Sequence, residues 1–167
     1  MATTPEVKLR ELLESFGVGM LVTHTQDDKL RSRPMALATV DGDGRLYFVT
    51  DKHSVKVDEM QADNTVAVTM QDKGKFVSLS GHASMVDDRA KLAELWKTDW
   101  KVWFPKGKDD PNLMLVAIDG VAGEYWDYSG TSGLKYLIEA GKSLLTGERP
   151  DMEHDPKRHG KGALSAQ

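Results

Sequence analysis

The sequence predicts a mainly β domain of the α+β class: a six- to seven-stranded antiparallel barrel with peripheral helices. Six or seven short strand-like segments recur at even spacing. Only two or three helical segments interrupt them. The chain has no repeated βαβ unit and no G-x-G-x-x-G after a strand, which excludes a doubly wound nucleotide-binding fold.

The N-terminal part of the chain predicts one helix followed by a three-stranded meander. Thr4 and Pro5 are typical of an N-cap and first helical position, and leucines at helical spacing follow until Gly17. Turn residues then separate three β-rich segments. The predicted strands cover residues 18–25, 30–40 and 46–50.

The remaining elements follow from the same signals. Ser54 is a candidate N-cap for a short helix that ends near Asn64, and Gly81 marks a bulge or a bend within a long strand. Asp87 or Asp88 begins a helix that runs towards Lys97. Further strands are predicted at 65–71, 75–86, 113–118 and 122–128, and a last helix at 134–145.

Two regions follow from composition along the chain. Residues 1–146 are predicted to form one domain, a size at which a single core is expected. Residues 147–167 have few apolar and many charged side chains, which predicts a mobile C-terminal tail. His154 and His159 in this tail are five residues apart, which is not the helical spacing of metal ligands, so no metal site is expected.

Composition excludes several classes of function. With 22 Lys+Arg against 26 Asp+Glu, the net charge of -4 gives no general attraction to nucleic acid or anionic membranes. The absence of Cys excludes disulfides, a thiolate nucleophile and Cys-ligated metals. The charged N-terminus and the lack of a long apolar run predict a cytoplasmic protein without a membrane span.

A phosphate site is predicted where the third strand passes into the short helix. Thr50, Ser54 and Lys56 surround a helix start, and Arg33 on the neighbouring strand adds a guanidinium. Arg31 lies on the same face of that strand, and Pro34 indicates an edge or an opening. The alternative also remains open: Ser54 only caps the helix, and the three cations are solvated.

No catalytic constellation is visible, so the catalytic residues stay unknown. The serines lack a G-x-S-x-G context, and the histidines show no base–orienter pairing. Trp96, Trp100 and Trp103 have helical spacing, which is more typical of a core or an interface than of a cofactor wall. An anion site without such groups suggests that a bound cofactor carries any chemistry.

Six segments of the chain form a recognisable set. In chain order they are R-S-R-P-M at 31–35, Y-F-V-T-x-x-x-S-x-K at 47–56, S-G-x-A at 80–83, D-R-x-K-x-x-E-L-W at 88–96, W-F-P-x-G-x-D-D-P at 103–111 and E-Y-W-D at 124–127. Together they resemble the general stress protein 26 group of the pyridoxamine 5′-phosphate oxidase-like FMN-binding split barrels. Each segment alone is weak, but their order from Leu9 to Tyr128 makes the set specific.

The resemblance implies a split β-barrel homodimer with two FMN sites at the dimer interface. It implies that one part of the site lines the flavin and another holds its ribityl phosphate. The cofactor-binding residues carried over are Ser32, Arg33, Pro34, Met35, Val49, Thr50, Ser54, Val55, Lys56, Trp103, Phe104 and Trp126. Of these, Thr50, Ser54 and Lys56 would hold the phosphate, while Trp103, Phe104 and Trp126 would approach the isoalloxazine.

The sequence departs from the oxidase proper at two cationic positions. Ala38 stands where the oxidase has a phosphate-binding lysine, and Val55 replaces the first residue of its Arg-Lys pair. The substrate-binding Arg and His of the oxidase have no match after Trp126. Pyridoxamine phosphate oxidation is therefore not expected, and FAD is a possible alternative cofactor.

Three functions stay open. The first is a redox flavoprotein that takes electrons from a donor such as NAD(P)H and passes them to a small acceptor. The second is a stress protein that binds or sequesters flavin without turnover. The third is a reductase on the same barrel that uses the deazaflavin F420.

Overall fold

Six antiparallel strands close into a barrel, and a seventh extends the sheet. The computed structural model describes residues 4–130, 142 and 158–164. The strand order is β3-β2-β1-β4-β5-β6-β7, and a further pairing between β3 and β6 closes the barrel. The strands are β1 (Val18–His24), β2 (Leu30–Val40), β3 (Leu46–Asp51), β4 (Thr65–Asp72), β5 (Lys75–Val86), β6 (Leu113–Asp127) and β7 (His159–Gly162). The predicted fold class is confirmed.

Three α-helices of the described residues lie around this barrel. They are α1 (Pro5–Glu14), α2 (Val55–Ala62) and α3 (Arg89–Leu95). Thr4 caps α1 as predicted, because its Oγ1 accepts a hydrogen bond from the Val7 amide at 3.4 Å. The apolar face of α1, with Leu9, Leu12 and Leu13, is buried in the barrel core. In this part of the chain, no helix is both long and apolar enough to cross a membrane.

Strand β3 is buried on both faces because two cores lie on either side of it. Leu46 and Phe48 belong to the core inside the barrel. Tyr47 and Val49 alternate with them and belong to a second core, which also includes Leu92 of α3 and Trp100. This second core fixes the outer side of β3, where the site described below begins.

The bulge predicted at Gly81 is confirmed, and the extra residue lies on the partner strand. Ser80 pairs with Ala122 and Gly81 pairs with Gly120, which leaves Val121 unpaired within β6. A Cβ at Gly81 would clash with the Asp119 carbonyl oxygen. The bulge also explains a wrong boundary: the two strands predicted at 113–118 and 122–128 are one continuous strand, β6.

Two other predictions need correction. The tryptophan stripe is not on one helix, because α3 ends at Leu95 and a 3-10 helix covers Thr98–Val102. Residues 158–164, predicted to be part of a mobile tail, include β7, which pairs with the end of β6. The predicted last helix, apart from position 142, and the proposed boundary at 146 lie outside the described residues.

Candidate functional site

A cavity of about 280 Å³ lies where β2 and β3 meet the start of α2. Most of its wall is apolar, and its polar groups come from the end of β3 and the first turn of α2. Its lining consists of Val18, Pro34, Met35, Ala36, Val49, Thr50, Asp51, Lys56, Trp103 and Phe104. An apolar cleft with a few polar groups at one end is typical of a small-molecule site.

The polar end is built by the passage from β3 into α2. Ser54 occupies the N-cap position with φ -77° and ψ 145°, as predicted. Its hydroxyl does not cap the helix, because Oγ donates to the Asp51 carbonyl oxygen at 2.7 Å. The amides of the first turn therefore keep the partial positive charge of a helix N-terminus without a capping side chain.

The Thr50 hydroxyl is buried in the lining and weakly hydrogen bonded. The residue is 1% exposed. Its Oγ1 lies 3.4 Å from Ser54 Oγ and 3.5 Å from the Asp51 carbonyl oxygen, whereas O–H···O bonds are usually about 2.7–2.8 Å long. A buried hydroxyl with only long contacts retains the capacity to bind a ligand oxygen.

Lys56 presents a half-buried ammonium to the same cavity. No hydrogen bond or ion pair joins its Nζ to any residue in the described parts of the chain. Burial lowers the pKa of Lys56, and the nearby Arg33 guanidinium lowers it further, while Asp51 and Glu59 act in the opposite direction. An anion bound here would offset both the cost of burying the Lys56 charge and its repulsion from Arg33.

Arg33 lies next to the cavity but is bound to another residue. Its Nη2 donates to Glu59 Oε2 at 2.7 Å, and its Nη1 donates to Thr23 Oγ1 at 2.5 Å. Arg31 donates to the other oxygen of Glu59 at 2.9 Å. The two arginines therefore share one face, as predicted, but a carboxylate of the protein already neutralises part of their charge.

Seven of the twelve predicted cofactor residues line this cavity. They are Pro34, Met35, Val49, Thr50, Lys56, Trp103 and Phe104. Arg33 and Ser54 lie behind the lining and contact Glu59 and Thr50 respectively. Ser32 and Val55 are exposed and do not line it.

Trp126 lines a different cavity, of about 390 Å³, together with residues of β1, β4 and β5. Its ring stacks on His159 of β7, with centroids 5.3 Å apart and an interplanar angle of 13°. His159 Nε2 also lies 2.7 Å from a carboxylate oxygen of Glu124. Val18 borders both cavities, so Trp126 and the first cavity are separated within one chain by the start of β1.

The two positions where the oxidase has a cation differ in their surroundings. Ala38 is buried in the core beneath α3. A lysine there would need space within this core. Val55 is exposed at the start of α2. Lys56 is thus the only cationic residue in the lining of the first cavity, as far as the described residues define it.

Sequence reasoning missed Glu59, Thr23 and Asp51. Glu59 is three residues after Lys56, which places both side chains on one helix face. That spacing, together with two arginines on a neighbouring strand, was the sequence signal that could have pointed to Glu59. It could not be read as a contact because Glu59 and Arg33 are 26 residues apart in the chain.

Comparisons with known proteins show which family the chain resembles. A family model described as "Pyridoxamine 5'-phosphate oxidase like" matches residues 5–151. Protein bli-3 of Neurospora crassa is 30% identical over 138 residues, covering 74% of this chain and 66% of that protein, so the chain spans slightly less than two thirds of it.

Two general stress proteins 26 are also similar. The one from Bacillus subtilis is 30% identical over 118 residues, covering 67% of this chain and 81% of that protein. A structure named as a general stress protein 26 from Jannaschia sp. CCS1 has a TM-score of 0.71 at 27% identity, covering 93% of this chain and 96% of that one. The resemblance predicted from the sequence motifs is confirmed.

Proposed function

The chain belongs to the pyridoxamine 5′-phosphate oxidase-like family, and from this premise we propose that it is a flavoprotein that binds FMN in the cavity beside Lys56. The observation that carries the proposal is the half-buried Lys56 ammonium, which pairs with no residue that the structure describes, next to the buried Thr50 hydroxyl. A phosphate monoester at this end would accept from both groups and from the first-turn amides of α2.

The residues present fit the two ends of such a cofactor. The polar end suits the phosphate. The walls contributed by Pro34, Met35 and Val49 suit an apolar ring, and Trp103 stands at the cavity with 62% of its surface exposed. An exposed indole at a cavity rim supports a role in covering a planar ligand.

We further propose that the site is completed by a second copy of the chain. The cavity of about 280 Å³ is at the lower limit of ligand sites, which are about 300–1,000 Å³. Val18 and Met20, on the outer face of β1, are 49% and 38% exposed. Apolar side chains next to an open cavity support a homodimer interface there.

When bound, FMN would supply transfer of electrons from a donor such as NAD(P)H to a small acceptor. Lys56 and Thr50 would bind and orient the phosphate. The apolar walls would exclude water from the ring, and backbone amides would stabilise added negative charge. Protein groups for proton transfer are scarce, since Asp51 and Lys56 are the titratable residues of the described lining.

That scarcity favours a second candidate function, flavin binding without turnover. In this reading the same residues hold FMN, and the protein stores or carries it. The two functions share the site and differ in reactivity, so measurements of binding and of turnover separate them.

The direct test is a titration of the purified protein with FMN, followed by absorption and flavin fluorescence. We expect a shifted flavin spectrum, quenched fluorescence and a dimer by light scattering. A colourless protein whose addition leaves FMN fluorescence unchanged would refute flavin binding. Displacement of FMN by F420 in a competition titration would instead assign the site to the deazaflavin. NAD(P)H oxidation with a panel of acceptors then decides between turnover and storage.

A further inference from the structure

Glu59 of α2 has a buried carboxylate beside the polar end of the first cavity. This polar end, with Thr50 and Lys56, is the anion site. Glu59 is therefore not an ordinary surface residue of α2. It is 3% exposed. One oxygen accepts from Thr23 Oγ1 and from Arg33 Nη2, both at 2.7 Å, and the other accepts from Arg31 Nη1 at 2.9 Å. A carboxylate buried to this degree requires such partners, because an unpaired charge is strongly unfavourable there.

This arrangement fixes the Arg33 guanidinium at two points. Nη2 is held by Glu59 and Nη1 by the fully buried Thr23 of β1. Arg33 is itself largely buried, whereas Arg31 is exposed. Glu59 therefore joins α2 to both β1 and β2 and sets where the inner guanidinium lies.

Three charges act on Lys56 from the elements around it. Arg33 of β2 acts with burial to lower the pKa of Lys56. Asp51 at the end of β3 and Glu59 on the same helix raise it. Removing Glu59 would leave Lys56 beside an uncompensated guanidinium in a half-buried position.

We propose that Glu59 is a positioning residue of the anion site: it fixes the Arg33 guanidinium between α2 and β1 and places a carboxylate on the same helix face as Lys56. The inference rests on the proposed function for the identity of the bound anion. The charge coupling itself is a property of the ligand-free protein, so it can be tested separately.

The experiment uses the full chain and the Glu59→Gln variant, which removes the charge with little change in volume. The first measurement is the pH titration of the Lys56 side chain by NMR in the ligand-free protein. We expect the midpoint to move to lower pH, because the Glu59 charge acts to raise the pKa of Lys56 and its removal leaves the opposing Arg33 charge in place. Glu14→Gln, which changes an exposed carboxylate of α1 paired with Arg10, is the control and should leave the midpoint unchanged.

The second measurement is the ratio of FMN to riboflavin affinity as a function of pH. Riboflavin lacks the phosphate, so a change confined to FMN reports on the anion site. For Glu59→Gln we expect this ratio to begin to fall at a lower pH than in the wild type, because Lys56 would lose its charge at a lower pH. A global loss of packing would weaken both flavins together and would not move the pH dependence of their ratio.

The outcomes are distinct. A wild-type protein that binds neither flavin refutes the proposed function, while the Lys56 titration still decides the role of Glu59. A folded Glu59→Gln protein with an unchanged Lys56 midpoint overturns the role of Glu59. If Glu59→Gln does not fold, Glu59→Asp withdraws the carboxylate by one methylene, and a smaller shift in the same direction is expected; no shift would again overturn the proposal.

Discussion

Replacing Lys56 with glutamine should separate the phosphate end of the proposed flavin site from its apolar end. Lys56→Gln removes the one cation in the described cavity lining and retains a side chain of similar length. The walls beside Pro34 and Val49 are untouched. FMN should therefore bind more weakly, whereas riboflavin, which has no phosphate, should bind as it does to the wild type.

The expected magnitude follows from the environment of Lys56. A hydrogen bond to a charged group contributes about 1.5–3 kcal/mol, which corresponds to about a ten- to hundredfold loss of FMN affinity. Thr50 and the first turn of α2 remain in place, so some phosphate affinity should persist. Because Lys56 is half-buried, salt should weaken this interaction less than it weakens an exposed pair.

Fluorescence titrations of FMN and riboflavin at two ionic strengths provide the assay. Lys73→Gln is the matched control, because Lys73 is an exposed lysine in the turn between β4 and β5 and lies outside the cavity lining. The reasoning fails if Lys56→Gln binds FMN as tightly as the wild type does. It also fails if both flavins lose affinity equally, since that result would indicate a general structural effect.

Three further predictions concern the fold around the site. Arg33→Met leaves the buried Glu59 with one guanidinium fewer, and urea unfolding should show that the free energy of unfolding falls by about 3 kcal/mol. A double Arg33→Met, Glu59→Met variant should recover much of this loss. No recovery would contradict the coupling between the two residues. Gly81→Ala should lower the free energy of unfolding by at least about 1–3 kcal/mol, because its Cβ would meet the Asp119 carbonyl oxygen. Gly42→Ala is the control: no atom lies near its Cβ, so the same measurement should show little effect. Burial acts to raise the pKa of Asp127, but hydrogen bonds from Lys8 and Ser129 outweigh it and hold that pKa below 3.8. This carboxylate therefore stabilises the fold above pH 3.8, and the contribution is lost as the pH falls through and below that value; Asp127→Asn should flatten this loss in unfolding curves recorded across the acid range, and an unchanged slope would contradict the assignment.

Local sequence signals predicted most of the elements because their causes are local. Strands β2 and β5 have the predicted bounds, and Thr4 caps α1 as expected. Turn residues, caps and the alternation of side chains act over a few positions, so a single sequence reveals them. Of the predicted site residues that line the first cavity, Thr50 and Lys56 followed from such local signals, whereas the others were carried over from the family resemblance.

Two errors occurred where distant segments meet. Strand β6 continues through Gly120 because β5 pairs with it on both sides of the bulge. Strand β7 forms from a polar segment that has no strand pattern of its own and pairs with the end of β6. In both cases the partner strand supplies the hydrogen bonds that stabilise the extended backbone, and local composition carries no information about that partner.

The sequence by itself determined the antiparallel barrel, the absence of cysteine chemistry and the position of a phosphate-binding candidate between Thr50 and Lys56. Only the tertiary structure decided which cation is available to an anion. Arg33 and Lys56 look equivalent in the sequence, but Glu59 binds Arg33 at 2.7 Å and no described residue binds the Lys56 ammonium. Ion pairing depends on distances across the fold, and these are set by how α2 packs on β1 and β2.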